Sequence, residues 1–272
     1  MRIAALQLEV SLNKKENLNR VDQIIDKIKG CSIDMVILPE MFICPYQTNV
    51  FEKYAEYEGE DTWKALSKIA SENNIYLVSG SVPERDGNHI YNTSYVFDRN
   101  GKQIAKHRKM HLFDINIPDG QNFKESEVLS VGYKPTVFNT EFGKIGLCIC
   151  YDFRFPELSR IMVDQGAKII IVPAAFNMTT GPSHWDILFR TRALDNQVYT
   201  IGVAPARNPD TGYSSWGHSL VVSPWGKILH QLNHLEDIII TDIDLELVTK
   251  VRSQLPLLSH RRFDIYTVSK PL

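Results

Sequence analysis

The chain has 272 residues, of which 43% are hydrophobic, and its formal net charge is −2. This length can bury one large core or two smaller ones, and the near-neutral charge gives no reason to expect nucleic acid or an anionic membrane surface as a partner. No apolar run approaches the roughly 20 residues of a membrane span, and the N-terminus lacks the pattern of a signal peptide. The composition predicts a cytoplasmic protein without a membrane partner.

Strand-like and amphipathic segments alternate along the chain without a linker or a repeat, so residues 1–272 are expected to form one domain. In the first half, IAALQL predicts a strand. Residues 17–29 predict a helix that Gly30 ends, and residues 61–71 predict a second helix with Asp61 as its cap. IYLVSGSV, TSYVFD and the turn at 99–102 predict hairpin-like strands.

The second half continues in the same way. Helices are expected from Pro156 onward and over residues 183–197, and the chain is expected to finish in a β-rich end. The predicted strands are TVFNT, KIGLCIC, KIIIVPAAF, YTIGVAP, SLVVSP, ILHQL and DIIITDID. This periodicity by itself indicates mixed α and β structure.

Cys150 stands where the apolar run KIGLCIC ends, six residues before Pro156. Residues 150–155 therefore predict a tight connection from a strand to a helix. A thiol in such a turn would be partly exposed and near helix-start N–H groups, which favour a thiolate. The alternative is a small buried core cysteine, which is how we interpret Cys148. This segment alone leaves both interpretations open.

Two further segments place ionisable side chains after strands. DMVILPE ends in Glu40 behind Pro39, which cannot donate to a sheet ladder, and KHRKMHLFD carries Lys109 in a basic cluster. Taken singly, Glu40 is better explained as a solvated or capping carboxylate than as a catalyst, and Lys109 is better explained as a surface lysine.

Together, an acid, a lysine and a cysteine in these places resemble the nitrilase superfamily of carbon–nitrogen hydrolases, and the resemblance runs from IAALQLEV to RRFDIY. The runs KMHLFDINIP, PAAFNMTTGPSHWDILFRTRALDNQVY, APARNPDTGY and WGHSLVVSPWG are similar to its ω-amidase branch, which hydrolyses 2-oxoglutaramate and 2-oxosuccinamate. The resemblance implies an α/β fold, the four-layer α-β-β-α sandwich. It also implies an enzyme that needs no cofactor or metal and takes a small-molecule amide as substrate.

The resemblance assigns roles that fit the chemistry, because amide hydrolysis needs a strong nucleophile, charge stabilisation on oxygen and a proton for ammonia. Cys150 would form a thioester, Glu40 would act as general base, and Lys109 would stay protonated as the electrophilic donor. The supporting positions are Glu125 and the backbone N–H of Tyr151. The substrate-binding positions are Arg154 for a carboxylate, Tyr46 and Thr180 as hydroxyl donors, and Phe176 as an apolar wall.

Several residues also allow simpler interpretations. Arg154 would equally form a structural ion pair with Asp152 or Glu157. His107 and His111 have the spacing of a helical metal pair, but the neighbouring Arg108 and Lys109 would repel a cation, so no metal site is predicted. His184 and His218 are interpreted as paired or core histidines rather than as partners of a catalytic thiol.

Three other functions remain open at this point. One is another amidase of the superfamily, such as a deaminated glutathione amidase. A second is a non-catalytic binding protein of nitrilase fold, although such a protein would be expected to have lost Glu40, Lys109 or Cys150. The third is a metal-dependent amidohydrolase. The resemblance further implies a homodimer or higher homo-oligomer, formed through the helix at 156–166 and the apolar, arginine-bearing tail at 255–272.

Overall fold

The computed structural model describes residues 1–118 and 122–268. Within this part of the chain the α-helices are α1 (Lys14–Ile28), α2 (Thr48–Tyr54), α3 (Asp61–Glu72), α4 (Pro156–Asp164), α5 (Gly181–Asn196) and α6 (Leu245–Gln254). The strands are β1 (Arg2–Gln7), β2 (Met35–Ile37), β3 (Glu56–Tyr57), β4 (Tyr76–Val78), β5 (Val82–Asp86), β6 (His89–Phe97), β7 (Gln103–Arg108), β8 (Asp114–Asn116), β9 (Asn122–Lys124), β10 (Thr136–Thr140), β11 (Gly143–Leu147), β12 (Ile169–Pro173), β13 (Tyr199–Val203), β14 (Leu220–Val222), β15 (Ile228–Gln231) and β16 (Asp237–Asp242).

The strands form two large sheets and a small hairpin. The first sheet has the order β16-β1-β2-β4-β6-β5-β3, with β7 also paired to β6. The second has the order β10-β11-β12-β13-β14-β15, and β8 pairs with β9. Parallel pairing joins β1 to β2 to β4 in the first sheet and β11 to β12 to β13 in the second. In parallel strands the carboxyl ends share one edge of the sheet, where ligands bind.

Alternating side chains on the strands separate the layers. Ile3 and Ala5 of β1 pack with Ile145 and Leu147 of β11 in a core between the two sheets, whereas Ala4 and Leu6 pack against α1 and α3. A third cluster joins the outer face of the second sheet to α4 and α5. The sequence of layers is helices, sheet, sheet, helices, so the predicted α-β-β-α sandwich is confirmed.

Two helix ends differ from the predictions. The helix α1 continues into a short 3-10 turn, and the left-handed residue that ends it is Ser32 (φ 54°) rather than Gly30. The helix α3 has Glu60 at its N-cap position without a side-chain cap bond, and Asp61 is its first helical residue. Asp61 therefore acts through its charge near the helix N-terminus rather than as a cap.

The predicted β-rich end of the chain is only partly correct. The strand β16 pairs antiparallel with β1 and so belongs to the first sheet, which composition does not reveal. It is followed by the unpredicted helix α6, for which the Asp244 side chain accepts a hydrogen bond from the Glu246 N–H. The short helix α2 was also not predicted.

The helix α4, which follows the turn at Cys150, packs against the rest of its own chain. Leu158 and Met162 of α4 are buried in the core with the second sheet, so this stripe is not free for a partner. The described part of the tail is different, because it leaves large apolar side chains exposed. These are Leu255, Leu257, Phe263, Ile265, Tyr266 and Val268. Positions 269–272 of the predicted interface tail lie outside the described residues.

None of the helices found in residues 1–118 and 122–268 has the length and apolar character that crossing a membrane requires.

Candidate active site

Three strand ends bring Glu40, Lys109 and Cys150 together in the interior. Glu40 follows β2 by three residues, Lys109 directly follows β7, and Cys150 follows β11 by three residues. Glu40 and Lys109 are fully buried. The simpler interpretations of Glu40 as a solvated carboxylate and Lys109 as a surface lysine are therefore wrong.

The loop that carries Glu40 is fixed by a close backbone contact. Gly80 adopts φ 63°, and a Cβ atom there would lie 2.0 Å from the Pro39 carbonyl oxygen, so only glycine fits. The Ser81 N–H donates to the same carbonyl, and the Ser81 hydroxyl accepts from the Met41 N–H at 3.0 Å. Glu40 is thus held at its backbone on both sides.

Lys109 joins two carboxylates. Its Nζ donates to Glu40 Oε1 at 3.1 Å and to Glu125 at 2.9 Å, and it lies 3.2 Å from the Tyr46 hydroxyl. Glu125 also accepts from the Tyr46 hydroxyl at 2.6 Å and from the Phe113 N–H at 2.7 Å. Burial opposes the ammonium, but the charges of Glu125 and Glu40 outweigh it and raise the pKa of Lys109. Lys109 is therefore a cation in the resting site.

Glu40 accepts from groups that the sequence did not reveal. Asn92 Nδ2 donates to Glu40 Oε1 at 2.8 Å, and the Ala175 N–H, just past β12, donates to Oε2 at 2.7 Å. The Asn92 carbonyl also accepts from the Lys109 N–H at 2.8 Å. The available signal was the polar run Asn92, Thr93 and Ser94 in the middle of the strand HIYNTSYVF, because buried polar groups need partners.

Cys150 begins a 3-10 turn, Cys150–Arg154, that leads into α4, as the sequence predicts. Its backbone is left-handed, with φ 47°, a strained conformation for a side chain other than glycine. The prediction of a partly exposed thiol is wrong, since Cys150 is 5% exposed. The buried thiol instead lies within the electrostatic reach of the Glu40 carboxylate.

Burial raises the pKa of both the thiol and the carboxylate. Burial and the charge of Glu40 raise the pKa of Cys150 well above its usual value, and the Lys109 cation opposes this only in part. Burial also raises the pKa of Glu40, against the effect of Lys109. In the resting site the sulfur therefore keeps its proton, next to a carboxylate that can accept it.

Arg154 is a half-buried cation over an aromatic wall. Its guanidinium lies 4.6 Å from the Phe176 ring centroid, and its Nη1 lies 3.0 Å from His184 Nδ1. In the described ranges no ion pair joins Arg154 to an acid, and Asp152 instead bonds to His107 and His111. Burial lowers the pKa of Arg154 below its usual value. The proposed ion pair of Arg154 with Asp152 is therefore absent.

The two hydroxyl groups predicted as substrate donors already have acceptors. The Tyr46 hydroxyl donates to Glu125, and Thr180 Oγ1 donates to Asn177 Oδ1 at 2.9 Å. Phe176 is buried and packs edge-on against Trp185. The substrate-binding roles of Tyr46, Thr180 and Phe176 stay predictions.

A buried thiol that interacts electrostatically with a carboxylate, which an ammonium holds in place, defines a class of site suited to covalent hydrolysis. The sequence profile of the carbon–nitrogen hydrolase family matches residues 2–253, and the chain belongs to this family. Omega-amidase NIT2 of Mus musculus is 46% identical over 268 residues, covering 98% of this chain and 97% of that protein. The NIT2 protein of Danio rerio is 44% identical over 268 residues, with the same coverage of both chains.

Solved structures agree with this assignment. Nit3 of Saccharomyces cerevisiae, a member of branch 10 of the nitrilase superfamily, superposes with a TM-score of 0.89 and 42% identity over 97% of both chains. The NitFhit protein of C. elegans superposes with a TM-score of 0.88 and 33% identity, covering 98% of this chain and 66% of that one. The predicted membership in the nitrilase superfamily and its ω-amidase branch is confirmed.

Proposed function

We propose that the protein is an ω-amidase that hydrolyses the terminal carboxamide of short 2-oxo dicarboxylic acid monoamides, such as 2-oxoglutaramate and 2-oxosuccinamate, to the 2-oxo acid and ammonia. The observation that carries the proposal is Arg154, a half-buried guanidinium without an acidic partner among the described residues, four positions after Cys150. Such a cation favours a ligand with a carboxylate, which it can bind through two hydrogen bonds.

In the first half of the reaction, the Cys150 sulfur attacks the amide carbon while Glu40 accepts the thiol proton. Glu40 then passes this proton to the amide nitrogen, the C–N bond breaks, and ammonia leaves behind a thioester. The charge of Glu40 acts on the buried thiol, and this electrostatic interaction supports the transfer. Lys109 and the Tyr151 N–H would stabilise the oxyanion of the tetrahedral intermediate.

In the second half, water attacks the thioester and Glu40 accepts its proton. The oxyanion again forms beside Lys109, and its collapse breaks the C–S bond and returns the proton to the sulfur. Glu125 takes no proton in this scheme. Its ion pair with Lys109 at 2.9 Å keeps the ammonium charged through both halves.

The test of the function is ammonia release from a panel of amides: 2-oxoglutaramate, 2-oxosuccinamate, glutamine, asparagine, deaminated glutathione and a simple nitrile. The two oxo-amides are expected to be hydrolysed with the highest kcat/KM, because Arg154 can bind their carboxylate while an α-amino cation would lack a carboxylate partner. Deaminated glutathione as the best substrate would favour the rival amidase function. A preference for glutamine or for the nitrile would contradict the ω-amidase proposal.

Replacing the cation should weaken binding of the oxo-amides. We expect Arg154→Gln to raise KM for 2-oxoglutaramate by about 10- to 100-fold, the value of a lost charge-assisted bond of about 1.5–3 kcal/mol, and to change kcat less. Arg207, which contacts the Trp216 ring and backbone carbonyls instead, provides the control Arg207→Gln. An unchanged KM in Arg154→Gln would show that another residue binds the substrate carboxylate.

The pH profile should report Glu40. Its raised pKa means that the basic form is lost as pH falls, starting above the usual value of 4.5. The acid limb of kcat/KM for 2-oxoglutaramate is therefore expected at a higher pH than for an ordinary glutamate. Circular dichroism over the same range serves as the control for unfolding. An acid limb at or below 4.5 would show that Glu40 is not the titrating base.

We also propose that the chain is a single domain that assembles into a homo-oligomer in the cytoplasm. The core between the sheets supports one domain, since it takes side chains from both halves of the chain. Four unpaired cysteines fit a reducing compartment. The exposed tail side chains Leu257, Phe263 and Ile265 support assembly. Light scattering on the intact chain and on a chain ending at Leu255 measures whether the tail is needed.

A further inference from the structure

The carboxylate of Asp152 has an unusually complete set of partners. It lies two residues after Cys150 and is fully buried. Oδ1 accepts from the Met110 N–H at 3.0 Å, from the His111 N–H at 2.8 Å and from His111 Nδ1 at 2.8 Å. Oδ2 accepts from His107 Nε2 at 2.9 Å and from the Ile149 N–H at 3.1 Å. None of these bonds is part of a strand ladder.

These bonds connect two segments that are distant in sequence. Ile149 precedes Cys150, whereas Met110 and His111 follow Lys109. One carboxylate thus holds the backbone on the amino side of Cys150 and on the carboxyl side of Lys109. Any shift of Asp152 changes the position of the sulfur relative to the ammonium.

The turn at Cys150 needs such a restraint. A left-handed conformation of a residue other than glycine costs about 1–2 kcal/mol and persists only where the surroundings enforce it. The bond from the Ile149 N–H to Asp152 closes this turn across Cys150, and the Asp152 N–H in turn donates to the Ile149 carbonyl at 3.0 Å. Asp152 is therefore bonded to the residue before Cys150 in both directions.

Each histidine orients its ring toward Asp152 by a second contact. His107 Nδ1 lies 2.9 Å from Thr136 Oγ1, inside the core. The His111 ring stacks on Phe155 at 3.8 Å between centroids, and its side chain is 31% exposed. Because these second contacts restrain both rings, the ring N–H groups stay oriented toward the Asp152 carboxylate.

We propose that Asp152, oriented by His107 and His111, is a positioning residue that sets the Cys150 sulfur against the Lys109 ammonium for attack on the amide. Asp152 does not touch the substrate and takes no proton in the reaction. The inference rests on the proposed function only in taking Cys150 as the nucleophile.

Asp152→Asn tests the inference with little change of volume. The amide keeps one acceptor oxygen but turns an NH₂ toward the Ile149 N–H and His107. A nucleophile misplaced by about 1 Å can lose about 100-fold in rate, so we expect kcat to fall by about 100-fold, with KM within about threefold of the parent.

Glu84→Gln is the matched control for stability alone. Glu84 is also a buried carboxylate, and it accepts from Thr93, Lys106 and Arg108. Lys106 and Arg108 alternate with His107 along β7, so Glu84 lies on the opposite face of the sheet. We expect Glu84→Gln to lower the melting temperature without lowering kcat at temperatures well below the melt. If Asp152→Asn melts within the range of the control yet keeps kcat within about threefold, the inference is overturned.

A pair of substitutions at His111 decides the question even if Asp152→Asn does not fold. Asn places its Nδ2 near the position of a histidine Nδ1, so His111→Asn keeps the donor to Asp152, whereas His111→Leu removes it. We expect His111→Leu to lower kcat by about 10-fold, because it loses one charge-assisted hydrogen bond to Asp152. His111→Asn should recover most of that loss. Equal losses in the two variants would overturn the inference.

The assay uses the panel amide that the parent enzyme hydrolyses fastest, with kcat and KM measured separately. A wrong substrate assignment then appears in the parent profile, whereas a wrong role for Asp152 appears in the ratio of variant to parent. The two failures are therefore distinguishable.

Discussion

Cys150→Ala should abolish amide hydrolysis while the protein stays folded. Loss of a covalent nucleophile lowers kcat by about 10⁵- to 10⁶-fold in comparable hydrolases, because the remaining groups only bind and polarise the substrate. The change removes one buried sulfur atom and leaves the strained backbone as it was, so the expected loss in the free energy of unfolding is about 1 kcal/mol. Ammonia release and thermal melting measure the two effects.

Cys44→Ala and Cys148→Ala are the controls for this prediction. Both side chains are buried, Cys44 beside Tyr46 and Cys148 in the cluster with α4. They should therefore match Cys150→Ala in the volume they remove but keep kcat. Substantial activity in Cys150→Ala, together with its loss in either control, would mean that another thiol is the nucleophile.

Lys109→Leu should be costly for both activity and stability. Removing one oxyanion donor typically lowers the rate by about 10²- to 10³-fold. The substitution also leaves Glu40 and Glu125 buried without their shared cation, and breaking a buried ion pair in this way costs about 3–5 kcal/mol of unfolding free energy. Chemical denaturation and kcat for 2-oxoglutaramate measure the two losses.

The stability of Lys109→Leu should also depend on pH with a definite sign. Without the cation, burial and the charge of Glu125 favour the protonated form of Glu40, so the pKa of Glu40 in the folded state rises further above 4.5. The unfolded chain ionises first as pH rises, and the free energy of unfolding therefore declines above pH 4.5. A variant whose stability rises with pH over this range would contradict the assignment of Glu40 and Glu125 as its unpaired charges.

Two further variants separate the causes. Lys109→Leu combined with Glu125→Gln removes one of the stranded charges and should regain stability but not activity. Lys106→Leu removes a lysine that is 30% exposed and leaves Glu84 paired with Arg108, so its cost should stay near about 1 kcal/mol. Equal stability losses for Lys109→Leu and Lys106→Leu would contradict the role of Lys109 as the cation that neutralises Glu40 and Glu125.

Local patterns determined the elements of this protein and its chemical class. The apolar runs KIGLCIC and KIIIVPAAF predicted buried strands, and Pro156 predicted the start of α4. Both predictions succeed because they depend on neighbouring residues of the same segment. The acid, the lysine and the cysteine each follow a predicted strand, and the resemblance of the three together to the nitrilase superfamily assigned their roles. The pattern does not determine solvent exposure, and it predicted a more exposed Cys150 thiol than the structure shows.

Only the tertiary structure decided which groups surround these residues. Asn92 reaches Glu40, and Asp152 joins the segments after Lys109 and before Cys150, through contacts between elements far apart in the chain. The sequence pattern of a polar residue in a strand is the same whether its hydrogen-bond partner is water or a buried carboxylate. The sequence also could not determine the partner of Arg154. Its lack of an acidic partner among the described residues became clear only when the structure showed Asp152 bonded to His107 and His111. Long-range packing, rather than local preference, determines the electrostatics of this site.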